Sequence, residues 1–123
     1  MTLSVSTQVS PIATRLIVQT QANAEADNAV AGVTPTTLYM VDIDNPTGVT
    51  VYLKLYNIAT AVVGTTVPDM VLMMPATTRR TMAIPEGLLF STALSMACVT
   101  GAATDSVAPP GPPSVVVRML ASV

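Results

Sequence analysis

The strongest constraint on the fold is a period-two alternation of apolar and polar residues that recurs in short stretches of the chain. In Val49–Tyr56 (VTVYLKLY), valine and leucine occupy one parity, while polar and aromatic residues occupy the other. Thr37–Asp44 (TLYMVDID) also alternates, and the turn-forming residues Asn45–Gly48 (NPTG) follow it. Alternation of this kind is typical of a half-buried strand. The two stretches therefore predict an antiparallel hairpin around the NPTG turn.

Other stretches with β-branched residues, bounded by proline or glycine, also predict strands. They are Ile12–Gln19, Met70–Met74 before Pro75, Thr77–Ile84 before Pro85-Glu86-Gly87, Leu88–Val99 and Ser114–Leu120. Leu88–Val99 is compatible with a short helix or two strand pieces, and we favour a strand because its neighbours are strands.

Three segments between these strands carry the residues of connections. Asn57–Asp69 is expected to be a loop or an irregular edge strand, and Gln21–Val33 a helical turn or a loop. Thr104–Pro113 (TDSVAPPGPP) is expected to be an extended loop, because proline lacks the N–H group that a central strand requires.

About eight short strands without a long amphipathic helix predict an all-β fold, a single antiparallel β-sandwich or barrel-like domain. A length of 123 residues suits one domain. We expect residues 12–123 to form this domain and residues 1–11 to form an uncharged N-terminal arm that adds a strand to a neighbour's sheet edge. The arm residues expected at an interface are Thr2, Leu3, Val5 and Val9.

The composition predicts a protein that binds other protein surfaces. Half of the residues are hydrophobic and only 10% are charged, so apolar side chains must remain on the outside. Exposed apolar surface is typical of interaction sites, which predicts a homo-oligomer, a bound partner, or both. A formal net charge of −2 argues against a nucleic-acid partner. Gly87–Ala103, the longest apolar-leaning stretch, is shorter than the roughly 20 residues of a membrane helix, so no membrane partner is expected.

The residue inventory argues against catalysis. The chain contains no histidine, the most common general base and transition-metal ligand. The single Cys98 can form neither an intramolecular disulfide nor a thiolate zinc site, and we expect it to be a small buried side chain. No phosphate-binding glycine motif occurs. We therefore expect no enzymatic activity, no cofactor and no small-molecule substrate. Met1–Ser10 lacks the features of a secretion signal, which favours synthesis in the cytoplasm.

Three groups of residues remain as candidate sites, each with two interpretations. Asp42 and Asp44 are expected on one face of a strand, either as weak candidates for Ca²⁺ ligands or as a solvated strand end. Arg79 and Arg80 are expected on opposite faces, and either one pairs with a carboxylate across an interface or both protect a sheet edge. The proline group is either a ligand for a partner's groove or, as we favour, a stiff connector into the last strand; its members are Pro109, Pro110, Pro112 and Pro113.

The C-terminal 70 residues resemble a group of small virion proteins of tailed bacteriophages. The similarity is carried by a strand of the type VYLKLY, an "A…VGT…P" segment, a "G…FSTGL" segment and "TGAA.TD" before the last strand. These elements correspond here to Val51–Tyr56, Ala61–Pro68, Gly87–Leu94 and Thr100–Asp105. The chain departs from the pattern at Ala93, where glycine is frequent, and in the proline-rich insertion at 109–113.

The resemblance implies a β-sandwich component of the virion, and within that class a capsid decoration (cement) protein. Such a protein binds the outside of the phage head, contacts the major capsid protein and stabilises neighbouring capsomers, often as a trimer. The alternative is a tail or head-fibre module that binds a host receptor, which would require exposed aromatic side chains. The aromatic residues available for that role are Tyr39, Tyr52, Tyr56 and Phe90. The main capsid subunit of a small virus would carry a basic arm, which is missing, and a hydrolase would need the absent histidine.

Overall fold

The computed structural model describes residues 13–30 and 32–123, so the expected arm lies outside the described residues. Within these ranges the chain forms eight β-strands and no helix. The strands are β1 (Arg15–Ala22), β2 (Asp27–Asn28), β3 (Thr36–Asn45), β4 (Val51–Tyr56), β5 (Met70–Met74), β6 (Thr78–Phe90), β7 (Ser95–Val99) and β8 (Val115–Ser122). The described ranges therefore contain no candidate membrane-spanning helix.

The strands form two four-stranded antiparallel sheets. The front sheet has the order β1-β8-β3-β6, and the back sheet has the order β2-β7-β4-β5. The first strand pairs with the last, β2 with β7, β3 with β6, and β4 with β5. This pairing is a long hairpin of four strand pairs folded over into two layers, the arrangement called a jelly roll. The prediction of an all-β sandwich is thereby confirmed.

The core lies between the two sheets and is built by the alternation visible in the sequence. In β8, Val115, Val117 and Met119 point inward and are at most 1% exposed. In β4, Leu53 and Leu55 are fully buried. Each such side chain stabilises the fold by about 1.5–3 kcal/mol relative to an exposed position. The inward faces therefore hold the two sheets together.

The predicted hairpin around Asn45–Gly48 is wrong, because β3 and β4 belong to different sheets and do not pair. The turn instead carries the chain from the front sheet to the back sheet. Asn45 is fully buried at this crossing, and its Nδ2 donates to the carbonyl oxygens of Val49 (2.9 Å), Met74 (3.3 Å) and Pro75 (3.0 Å). One side chain thus joins the β3–β4 turn to the end of β5.

Two predicted strand boundaries also change. Pro85 does not end the sixth strand, because β6 is the edge of the front sheet, where a missing N–H group costs no ladder hydrogen bond. The β3–β6 ladder shifts register near Gly87, which has a φ of 78° and where a Cβ atom would collide with Thr37 and Tyr39. The predicted strand Leu88–Val99 divides into the end of β6, a turn and β7.

The segments predicted as connections mostly contain no regular structure. The stretches 57–69 and 104–113 contain no strand, as expected. The described part of Gln21–Val33 holds the end of β1 and the two-residue strand β2, and no helical turn.

Candidate interaction surface

A row of four apolar side chains crosses the outer face of the front sheet, one from each strand. Leu16 of β1 pairs with Leu120 of β8, Leu120 with Met40 of β3, and Met40 with Ala83 of β6. We call this set the apolar row. Leu16 is 67% exposed, and Val18, on the same face of β1, is 48% exposed. The front sheet therefore presents a continuous apolar strip to the outside.

A charged cluster lies beside the apolar row, in which the carboxylate of Asp42 faces the guanidinium groups of Arg79 and Arg118. Asp42 Oδ2 lies 2.9 Å from Arg79 Nη2 and 3.7 Å from Arg118 Nη1, and Thr81 Oγ1 donates to Asp42 Oδ1 at 2.9 Å. The hydrogen bonds from Arg79 hold the pKa of Asp42 below its usual 3.8, although burial acts in the opposite direction. The row and the cluster share a cavity of about 280 Å³, lined by Leu16, Met40, Asp42 and Arg118 among others.

The structure shows what the charged candidate residues contact within the chain. Asp42 and Asp44 do share the outer face, but Asp42 is engaged by two guanidinium groups of its own chain. No group of three metal-ligating side chains occurs among the described residues. Arg79 pairs within the chain, and Arg80 lies on the opposite face of β6, paired in register with Ile43. Both arginines are exposed on an edge strand, the position in which charges discourage unwanted pairing.

The second apolar feature is an opening between the edge strands β5 and β6. Met70 and Leu72 of β5 face Met82 and Ile84 of β6 across a cavity of about 270 Å³. All four side chains are only partly buried, although they border the core. We call this opening the seam. On the opposite side of the sandwich, the edge strands β1 and β2 are joined by a hydrogen bond of 2.5 Å, which Gln19 Nε2 of β1 donates to Asp27 Oδ2 of β2.

The β7–β8 loop covers the outer face of the back sheet at Lys54, whereas Met73 of β5 on the same face is 55% exposed. Lys54 of β4 is fully buried, and its Nζ donates to the carbonyl oxygens of Ala103 (2.6 Å) and Ser106 (3.2 Å) in that loop. Burial lowers the pKa of Lys54, and the nearby carboxylate of Asp105 partly offsets this. The expectation of a half-buried strand at Val49–Tyr56 is therefore wrong at Lys54 and Tyr56, which lie on the polar face and are fully buried.

The proline group of the β7–β8 loop borders a shallow cavity of about 220 Å³ next to the end of β1. Pro110 and Pro112 line it together with Gln21 and Asn23. Pro109, Pro112 and Pro113 are exposed. These residues connect the loop that covers Lys54 to β8.

The aromatic and thiol side chains lie mainly inside. Tyr56 and Phe90 are at most 3% exposed, and Tyr39 and Tyr52 are partly buried. Burial raises the pKa of Tyr56, whose hydroxyl has no hydrogen-bond partner among the described residues. Cys98 is fully buried, as expected, and burial raises the pKa of its thiol to about 12. The aromatic residues thus offer little exposed surface for stacking against a glycan.

The candidate residues were only partly predicted from the sequence. Thr2, Leu3, Val5 and Val9 lie outside the described residues. The prolines and the arginines lie away from the apolar row, although Arg79 contacts the cluster beside it. Sequence reasoning missed the row itself, because its four members come from strands whose register no local pattern reveals.

Comparisons with known proteins add no relative: no protein-family model, no curated protein and no solved structure matches this chain.

Proposed function

We propose that the protein is a structural virion protein that decorates the outer surface of a phage head, binds the major capsid protein and stabilises contacts between capsomers. The observation that carries the proposal is the apolar row on the outer face of the front sheet. A contiguous apolar strip on a small domain is typical of a surface that another protein covers. The proposal assigns the protein a binding function and no reaction.

The carboxylate beside the row is already satisfied within the chain, whereas Arg118 Nη1 has no hydrogen-bond partner among the described residues and would donate to an oxygen atom of a binding partner. An isolated carboxylate at an interface is costly to desolvate, but Asp42 is already paired with Arg79 and hydrogen-bonded to Thr81. A capsid surface that covers the row would therefore not need to supply a cation. The low charge of the chain likewise reduces the desolvation cost of binding.

The segments that resemble phage virion proteins serve the fold of the domain. Lys54, in the VYLKLY segment, holds the carbonyl of Ala103 in the TGAATD segment. Asn57 follows VYLKLY, and its side chain contacts Ser91 and Thr92 in the FSTAL segment. The resemblance thus favours a shared architecture, while the contact with the capsid is assigned to the front sheet.

The experiment is a capsid-binding assay with two matched variants. Leu16→Asp places a charge in the apolar row, and Val67→Asp places the same charge in the β4–β5 loop, at a position that is 71% exposed. Both positions are exposed, so neither change is expected to unfold the domain. Bare capsids are mixed with each purified protein, and bound protein is quantified after sedimentation.

We expect Leu16→Asp to lower the affinity for capsids at least tenfold and Val67→Asp to leave it within about twofold. Equal binding by Leu16→Asp and the unchanged chain would refute the assignment of the front sheet. Failure of the unchanged chain to bind capsids at all would refute the proposed function.

A further inference from the structure

We infer that the seam between β5 and β6 is the receptor for the N-terminal residues 3–9 of a second copy of this chain, which add there as an extended strand. This inference concerns the assembly of the protein with itself and does not depend on binding to a capsid. Two observations support it. The core is incompletely covered at the seam, and residues 3–9 have the alternation of apolar and polar residues that a covering strand needs.

The seam has the features of a strand-accepting groove. β5 and β6 are the outer strands of their sheets, so each has one edge without a strand neighbour among the described residues. Between them, the apolar side chains of Met70, Leu72, Met82 and Ile84 remain partly exposed above a cavity of about 270 Å³. An added strand pairs its backbone with such an edge and inserts alternate side chains into the groove.

The N-terminal segment has the sequence that this groove requires. In LSVSTQV, Leu3, Val5 and Val9 share one parity with Thr7, and the other parity holds two serines and a glutamine. This is the alternation of a strand with one apolar face. Seven extended residues span about 23 Å, compared with about 17 Å for the five residues of β5. The segment is therefore long enough to cover the seam.

The tether at β1 favours the seam of another copy over the chain's own seam. Thr14 N donates to Ala121 O, so the chain is held against β8 at residue 14. β1 and β6 are three strand spacings apart, about 14 Å, and the connections 32–35 and 91–94 lie at that end of the sandwich. From Thr14 to Val9 the chain reaches only about 17 Å at full extension. The chain's own seam is thus reached only by a nearly straight path past those connections, whereas a second copy is under no such constraint.

The test is a disulfide cross-link between two differently substituted chains. Val5→Cys is introduced in one preparation and Leu72→Cys in another, which is isotopically labelled so that mixed dimers are identified by mass. Cys98 is fully buried and adds no accessible thiol. Ser6→Cys, of the opposite parity, and Val67→Cys, exposed in the β4–β5 loop, are the matched controls. Met82→Cys replaces Leu72→Cys if the latter does not fold.

We expect the Val5→Cys and Leu72→Cys chains to form a mixed dimer at least tenfold more readily than either control pair, and the unchanged chain to sediment as an oligomer at micromolar concentration. Deletion of residues 1–11 should reduce that oligomer to a monomer with an unchanged circular dichroism spectrum. A monomeric unchanged chain, or cross-linking no better than the controls, would overturn the inference. So would an intramolecular disulfide in a third preparation whose chain carries both Val5→Cys and Leu72→Cys.

Discussion

Replacement of Asn45 tests the crossing between the two sheets, because this side chain makes more hydrogen bonds than a turn residue needs. Its Nδ2 reaches three carbonyl oxygens at 2.9–3.3 Å, and its Oδ1 accepts from the backbone N–H and the hydroxyl of Thr47 at 3.1 and 2.6 Å. A net hydrogen bond contributes about 1 kcal/mol, and buried groups left without partners cost about 1–3 kcal/mol. Since the Thr47 hydroxyl also reaches Val49 O at 3.1 Å, part of the loss is recovered. We therefore expect Asn45→Ala to lower the free energy of unfolding by about 2–4 kcal/mol.

Urea denaturation at one fixed protein concentration measures this effect. With an m-value of about 2 kcal/mol per molar urea, a loss of 3 kcal/mol lowers the midpoint by about 1.5 M. The matched control is Asn28→Ala, which removes a similar pair of local bonds, to Gly32 O and from Val30 N, at an exposed site. We expect that control to change the free energy of unfolding by less than about 0.5 kcal/mol. Equal midpoints for the two variants would refute the argument that Asn45 joins the sheets.

Three further predictions follow from the titratable side chains. The Cys98 thiol, with its pKa raised to about 12, should not react with a thiol reagent in the native protein at pH 8 and should react fully after denaturation; rapid native labelling would contradict its burial. Asp42→Asn should destabilise the fold at pH 7, because a carboxylate with a lowered pKa stabilises the folded state while it is ionised. The difference in urea midpoint between this variant and the unchanged chain should shrink as the pH falls below 3.8. A difference that does not change with pH would contradict this reasoning. The pKa of Lys54 is lowered in the folded protein, so the unfolded chain binds the proton of this side chain more tightly. The free energy of unfolding, relative to that of Lys54→Met, should therefore rise as the pH approaches 10.5. A difference in free energy of unfolding that stays constant between pH 8 and 10.5 would contradict the burial of the ammonium group.

The sequence predicted those strands whose ends and faces are determined locally. Met70–Met74 was predicted with its exact bounds because Pro75 ends it, and β3 because one face alternates clearly. The NPTG residues correctly indicated a turn, but a turn signature does not tell which sheet the next strand joins. The prediction that Pro85 ends the sixth strand was wrong, because the effect of a proline depends on whether the strand is central or at a sheet edge. All five residues of β7 are buried, so no period-two signal distinguished its faces.

The candidate surface was less predictable for the same physical reason. The common face of Asp42 and Asp44 follows from their spacing, but the pairing of Asp42 with Arg79 depends on the register of β3 against β6. Lys54 alternates as an outward residue and is nevertheless buried, because a loop about 50 positions later in the chain covers it. Contacts of this kind depend on tertiary structure and leave no local pattern in the sequence.

The most direct test of the proposed function is quantitative mass spectrometry of particles purified from the host that carries the gene. A decoration protein should be present in a copy number comparable with that of the major capsid protein, and should be removable while the capsid shell remains. A handful of copies per particle would indicate the fibre alternative, and absence from purified particles would contradict the account.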